Sequence, residues 1–127
     1  LANDFRFRDD ATYGNRRLPG LPMYTGRAQL GSRFASGLRL QGRVEAASGY
    51  AIDFANSFGA DRYALWGVKA SGRIATGLTW FVEGRNLADR RYAATTGVVR
   101  TANGADTAQF FPGDGRAVYA GIDWRFN

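Results

Sequence analysis

Apolar and polar residues alternate along most of the chain. In the last twelve residues, RAVYAGIDWRFN, every second residue from Val118 to Phe126 is apolar, and Asp123 and Arg125 stand between them. A period of two is the pattern of β-strands, in which successive side chains point to opposite faces of the sheet. The same alternation occurs in five earlier stretches, which are residues 4–8, 23–34, 38–50, 62–74 and 78–86. The sequence therefore predicts an all-β chain of about six strands.

The lengths of the strands and of their links favour a membrane β-barrel. Most of the predicted strands have about a dozen residues, whereas strands of soluble proteins usually have ~5–6. The links 35–37 and 75–77 are short, and the links 9–22, 51–62 and 91–115 are long. Tight periplasmic turns that alternate with long extracellular loops are typical of outer-membrane barrels. If the short turns are periplasmic, the last strand places the C-terminus in the periplasm.

Composition narrows the choice of function. The net charge is +6, but the arginines are spread along the chain, whereas nucleic-acid-binding proteins usually cluster them on one patch or helix. The sequence has no Cys and no His, which removes disulfides, thiolate metal sites and the commonest general base. It has no nucleophile-elbow or P-loop motif. We therefore expect neither an enzyme nor a nucleic-acid-binding protein, and we expect no cofactor and no metal site.

No apolar run approaches the roughly 18 residues of a membrane helix, whereas a membrane β-strand needs only ~9–11 residues. The chain opens on LANDFRF, without an initiator Met or a signal peptide, and this pattern is already strand-like. We expect the chain to be a piece of a longer protein.

Three short motifs point to a known family. LPGLP precedes the second strand, VEGRNLADRRY ends the fifth, and PGDGRAVYAGIDWRF makes up the sixth. Together they resemble the C-terminal barrel region of TonB-dependent outer-membrane receptors, and the resemblance covers essentially all of residues 1–127. Asn86, Leu87, Asp89 and Tyr92 match the family's NL-x-D-x-x-Y signature of the penultimate strand. One departure is Asn127, which follows Phe126 where the family usually ends on the aromatic residue.

The resemblance implies a fold and a function. The chain would be an antiparallel transmembrane segment, about six strands of a 22-stranded barrel in the bacterial outer membrane, without the family's plug domain and TonB box. The intact receptor would take up a scarce nutrient, most often a ferric siderophore, with energy from the TonB complex that engages the plug. The loop 91–115 is the best candidate for contact with the substrate, because long barrel loops commonly bind ligands.

The two faces of the predicted strands have different candidate roles. Aromatic residues on the apolar face are candidates for the interfacial belt of a membrane barrel, and they are Trp66, Trp80, Trp124 and Phe126. Charged residues share the opposite face, which would line the lumen, and they are Arg27, Arg33, Arg39, Arg43, Glu45, Lys69, Arg73, Glu83, Arg85, Asp123 and Arg125. We expect them to bond to one another or to a plug, while attraction of an anionic ferric chelate is the sharper alternative.

The loop carboxylates have a simpler explanation than metal binding. They are Asp9, Asp10, Asp53, Asp61, Asp106 and Asp114, and none lies in a calcium-loop spacing. Turn formation explains them, because Asp side chains bond readily to nearby backbone amides. Asn86 and Asp89 likewise are expected to end a strand rather than to touch a ligand.

Two other functional classes remain open at this point. The chain could be a wall segment of another outer-membrane barrel, such as a passive porin. It could also be a soluble β-sandwich that binds a ligand or a partner, with its apolar face buried against a second sheet.

Overall fold

The computed structural model of the chain is all-β. It describes residues 1–102 and 105–126, with side chains described for residues 1–98 and 109–126. Within these ranges the strands are β1 (Thr25–Arg33), β2 (Arg39–Ala47), β3 (Tyr50–Ala51), β4 (Gly59–Ala60), β5 (Tyr63–Ala75), β6 (Leu78–Arg85), β7 (Ala93–Ala102), β8 (Ala105–Pro112) and β9 (Ala117–Trp124). The predicted all-β class is therefore confirmed.

The described residues contain no helix that is long and apolar enough to cross a membrane.

The chain divides into two compact units. One consists of Leu1–Gly26, Ala46–Tyr63 and Arg91–Asp114, and the other of Arg27–Glu45, Ala64–Arg90 and Gly115–Asn127. The second unit is built on a five-stranded sheet with the order β1-β2-β5-β6-β9, in which β6 pairs antiparallel with both β5 and β9. Because β1 and β9 are its two edges, this sheet is open.

Five of the six predicted strands are present in this sheet. β5 has 13 residues, close to the predicted length, whereas β1, β2, β6 and β9 have only eight or nine. The short links form the expected turns, since Gly37 and Gly77 adopt the left-handed φ values of 84° and 75° that glycine accommodates without a steric cost.

The prediction of a strand at residues 4–8 is wrong. This segment makes only an isolated bridge, between Arg6 and Arg17. The Phe7 ring instead stacks on Tyr13, with 5.1 Å between centroids, and both rings contact Phe54. Two apolar residues are too few to specify a ladder; Phe7 packs in a local aromatic cluster instead, while Phe5 is 54% exposed.

Two of the long links contain strands of their own. β3 and β4 form a small pair within residues 50–60, and β7 and β8 form an antiparallel hairpin within residues 93–112. The prediction that residues 51–62 and 91–115 are loops is therefore wrong for these strands.

Buried apolar side chains are scarce in the described part of the chain. There, the apolar residues below a tenth exposure are Ala47 and Ile52, whereas Leu30, Val118 and Ile122 are each more than two-thirds exposed. Soluble monomers rarely leave a contiguous apolar surface of this kind open to water. The five-stranded sheet is therefore a single layer whose apolar residues lie at its surface.

Candidate functional site

The apolar face of the sheet is continuous across its last three strands. The register pairs Ala70 with Val82 and Val82 with Ala120, so that these residues stand side by side on one face. The same face of β9 carries Val118 and Ile122, which are 68% and 69% exposed. An exposed, smooth, apolar strand surface is suited to contact with another apolar phase rather than with water.

The predicted belt residues lie on this face at two levels. Trp80 and Trp124 are near the turn that joins β5 and β6, because Leu78 is paired with Trp124 and Trp80 with Ile122. The rings of Trp124 and Phe126 are 4.5 Å apart between centroids, and both side chains are mostly exposed. Trp66 lies near the start of β5 and is 55% exposed. Asn127, the departure from the family pattern, lies outside the described residues.

Trp80 is the belt candidate that packs most closely on the sheet. It is half-buried, and its indole lies over Gly72, the residue opposite it on β5. A Cβ atom at Gly72 would come within 2.8 Å of the indole Nε1. Gly72 therefore leaves the space that the tryptophan ring occupies.

The opposite face brings together several of the predicted lumenal charges. Glu83 on β6 accepts a hydrogen bond from Arg85 at 2.8 Å and forms an ion pair with Arg43 at 3.0 Å, and its side chain is only 11% exposed. A more exposed pair joins Arg27 of β1 to Glu45 of β2 at 3.0 Å. A third pair joins Asp123 to Arg125 at 3.6 Å, so the expected bonding of this face to itself is present around all three of its carboxylates.

Aromatic rings also stabilise the cations of this face. The Lys69 ammonium lies 5.1 Å from the centroid of Phe81, and the Arg85 guanidinium 4.9 Å from that of Tyr119. Such cation–π contacts are favourable because the face of an aromatic ring is electronegative.

A concave cavity lies at the end of this face that is nearest the short turns. It is half open, with a volume of about 630 Å³, and its lining combines the cations Arg33, Arg39, Lys69 and Arg73 with apolar and aromatic residues that include Ile74, Trp80 and Phe81. Alternation in the sequence places the four cations on one face, but it carries no signal that they line a common cavity.

The NL-x-D-x-x-Y motif closes the end of β6. The Asn86 carboxamide is paired with Arg90, accepting from its backbone N–H and donating to its carbonyl oxygen, each at 2.9 Å. The Asp89 carboxylate accepts from the backbone N–H of Arg116 at 3.0 Å, just before β9. Asn86 and Asp89 have left-handed φ values of 46° and 51°, a conformation that Asn and Asp tolerate best among residues with a side chain. Both side chains bond to the backbone, as expected for residues that end a strand.

The motif's Tyr92 packs in the other unit. Its ring lies against Gly113, where a Cβ atom would overlap the ring, and its carbonyl oxygen accepts from the Gly113 N–H at 2.8 Å. The Tyr63 ring is 4.8 Å away between centroids. These contacts close the base of the β7–β8 hairpin.

The loop 91–115, the predicted substrate contact, is therefore an ordered hairpin at its base. Residues 103 and 104, and the Asp106 side chain, lie outside the described part of the chain.

Among the other loop acids, Asp53 forms the most extensive network. Its carboxylate is fully buried and accepts from the Ser57 hydroxyl at 2.5 Å, the Ser57 N–H at 3.0 Å and the Phe58 N–H at 2.8 Å. Burial raises the pKa of the Asp53 carboxyl, but these hydrogen bonds together outweigh burial and leave the pKa below its ordinary value of 3.8. The sequence indicated a turn here but gave no signal that the acid would be buried.

Asp9 and Asp10 also fit turn chemistry. The Asp10 carboxylate accepts from the backbone N–H groups of Thr12 and Tyr13, each at 2.8 Å, and the Asp9 backbone and side chain bond to Asn15. Within the described residues, no group of three acidic side chains could hold a metal ion.

Comparison with known proteins identifies a similar fold. No protein-family model and no curated protein matches the sequence. The structure is similar to the crystal structure of the ferric yersiniabactin uptake receptor FyuA from Yersinia pestis, with a TM-score of 0.74 and 21% sequence identity. The match covers 96% of this chain and 19% of the receptor chain, so that this chain spans about a fifth of that receptor's length. The chain therefore has the fold of a segment of an uptake receptor, and that structural neighbour is a transport protein rather than an enzyme.

Proposed function

We propose that the chain is the C-terminal part of the barrel wall of a TonB-dependent outer-membrane receptor, one that takes up a ferric siderophore. The observation that supports this most strongly is the fold match to a ferric siderophore receptor along nearly the whole chain, in a sheet whose apolar face is exposed. In this proposal the apolar face contacts lipid and the charged face lines the lumen.

The membrane part of the proposal accounts for both faces of the sheet. Lipid covers the apolar face without a second protein layer, which explains the scarcity of buried apolar side chains. It also gives the aromatic residues at the two levels of that face a role at the membrane interfaces. The short turns and the C-terminus would lie in the periplasm.

The open edges fit a wall segment as well. β1 and β9 are the edges of the sheet, and an open edge in lipid would leave backbone groups without hydrogen bonds. Further strands of a longer protein would pair with them to close the barrel. The plug and TonB box would belong to that longer protein.

The first test is whether the isolated chain folds in buffer or only in detergent. The chain alone should aggregate in buffer and gain β-structure, measured by far-UV circular dichroism, only in detergent micelles. A monomeric, β-rich chain in plain buffer would instead show a soluble β-sandwich.

A matched pair of variants sharpens this test. Leu30 and Gln29 are neighbours on β1 that point to opposite faces, and Leu30 is 82% exposed. Leu30→Lys should prevent folding in micelles, because a lysine on the lipid face costs about 2–4 kcal/mol at mid-membrane. Gln29→Lys, on the lumenal face, should fold like the parent chain.

A transport assay separates the receptor from a passive porin. Cells that make the complete protein should accumulate a radiolabelled ferric siderophore, and a protonophore should abolish this uptake. Uptake that continues after protonophore treatment would indicate passive diffusion through a porin.

A further inference from the structure

The cavity at the short-turn end of the charged face has an unusual charge pattern. Arg33, Arg39 and Arg73 are exposed and Lys69 is half-buried, and all four line the same volume of about 630 Å³. They come from three strands, β1, β2 and β5. Hence the sheet, rather than one flexible loop, brings the four positive charges together.

None of these four cations forms an ion pair within the described part of the chain. The nearby carboxylates are already bonded: Glu83 to Arg43 and Arg85, and Asp123 to Arg125 at 3.6 Å. Lys69 is directly opposite Glu83 in the register and interacts with it electrostatically, and its ammonium group lies over the Phe81 ring. The rest of the charged face is thus largely neutralised, and its positive charge is concentrated around this cavity.

Positive charges around one concavity attract anions strongly. The four cations repel one another, so an anion between them relieves that repulsion. A concave protein wall of low dielectric constant also focuses their combined positive field on the cavity. The cavity is also lined by Ser71 and Thr79, whose hydroxyl groups can donate hydrogen bonds to an anionic oxygen. Its volume lies within the range of small-molecule sites, about 300–1,000 Å³.

We propose that this cavity binds a small multivalent oxyanion, a molecule with several carboxylate or phosphate groups. The planar guanidinium groups of Arg33, Arg39 and Arg73 can each form paired hydrogen bonds with one oxyanion group, and Lys69 adds a compact charge. Several anionic groups on one molecule match several cations around one cavity. This site depends on the charge and shape of the sheet and goes beyond the proposed transport function.

The test is calorimetric titration of the folded chain with citrate and, separately, with inorganic pyrophosphate. The variant is Arg33→Gln with Arg39→Gln. The matched control is Arg27→Gln with Arg125→Gln, which removes the same charge from the same face but from arginines already paired with Glu45 and Asp123. Circular dichroism establishes that each protein has the parent fold before it is titrated.

At least one of the two anions should bind to the parent chain at one site. The cavity variant should bind it about tenfold or more weakly, because two charged donors are lost, while the control should change by about twofold or less. Added salt should weaken binding, since it screens the charges.

Three results would overturn the site. The first is equal weakening of binding by the two double variants, which would indicate only a general positive field. The second is no binding of either anion by a chain with the parent fold. The third is binding of a glutamate-rich peptide without binding of either small anion. The titration remains informative if the membrane proposal fails, because a chain that folds in plain buffer can be titrated there.

Discussion

The side chain of Asn56 completes the backbone hydrogen bonding of Arg17. Its amide nitrogen donates to the Arg17 carbonyl oxygen and its oxygen accepts from the Arg17 N–H, both at 2.9 Å. Asn56 itself has a left-handed φ of 56°. One side chain thus substitutes for a strand neighbour and connects two segments that are 39 residues apart in sequence.

Replacing Asn56 by glycine should release Arg17 without straining the backbone, because glycine adopts positive φ freely. We expect faster hydrogen exchange of the Arg17 amide in Asn56→Gly than in the parent chain. Asn56→Ala should show the same faster exchange and a further loss of stability, about 1–2 kcal/mol for a β-carbon in this conformation. Unchanged exchange at Arg17 in both variants would show that the pairing does not protect it.

Asp53 should make the stability of its turn depend on acid pH. Its pKa is below the ordinary 3.8 in the folded chain, so that its contribution is fully present above that value and is lost as the pH falls through the lowered pKa. The ¹³C shift of the Asp53 carboxyl should therefore titrate below pH 3.8, and exchange of the Ser57 and Phe58 amides should increase together with it.

The matching variant is Asp53→Asn. The NH₂ group of asparagine replaces one carboxylate oxygen and cannot accept the hydrogen bonds that this oxygen accepted. Because buried donors are then left without an acceptor, we expect the free energy of unfolding to fall by about 1–3 kcal/mol. If the turn keeps its parent amide protection in Asp53→Asn, the carboxylate is not what stabilises it.

Gly72 should be intolerant of a side chain, unlike a second glycine in the sheet. Gly72→Val would force Trp80 to move, and we expect the free energy of unfolding to fall by about 1–3 kcal/mol. The tryptophan emission should change as well. Gly42→Val is the control, because a Cβ at Gly42 meets no atom within 4 Å and valine favours strands. Thermal unfolding followed by fluorescence compares the two, and equal midpoints would contradict the proposed packing of Trp80 on Gly72.

Glu83 should matter more to stability than Glu45, although each is bonded to arginine. Glu83→Gln removes the carboxylate shared by Arg43 and Arg85, which are each about half exposed, and we expect a loss of about 2 kcal/mol in the free energy of unfolding. Glu45→Gln breaks a pair in which Arg27 is 81% exposed, and it should cost less than about 1 kcal/mol. Denaturant titration measures both. A cost for Glu45→Gln that equals that of Glu83→Gln would contradict this ranking.

The alternation of apolar and polar residues predicted the main sheet well because each of its strands has one apolar and one charged face. It failed at residues 4–8, where Phe7 packs against the nearby Tyr13 and against Phe54, which is distant in sequence. The β7–β8 hairpin did have a signal, namely the β-branched residues Thr95, Thr96, Val98 and Val99 and the Asn-Gly pair at 103–104, a common hairpin-turn sequence. The prediction of a loop over residues 91–115 overlooked this signal.

The charged face was less predictable than the sheet. Alternation put its residues on one side of the strands, but which cations meet a carboxylate depends on strand register. Strand pairing brings Arg43 within reach of Glu83, which also bonds to Arg85 on its own strand, and it leaves Arg33, Arg39 and Arg73 around the cavity. A similar limit applies to Asp53, whose burial depends on how its turn folds around it.

The most direct test of the membrane assignment is quenching of tryptophan fluorescence by brominated phospholipids. Trp66 and Trp124 are both exposed on the apolar face, and variants that keep only one of them, with phenylalanine at the other tryptophan positions, report each level of the sheet. In vesicles where circular dichroism shows β-structure, we predict strong quenching of both residues by lipids brominated near the headgroup. A β-folded chain whose Trp66 and Trp124 remain unquenched would show that this face does not contact lipid, and the proposed barrel wall would be wrong.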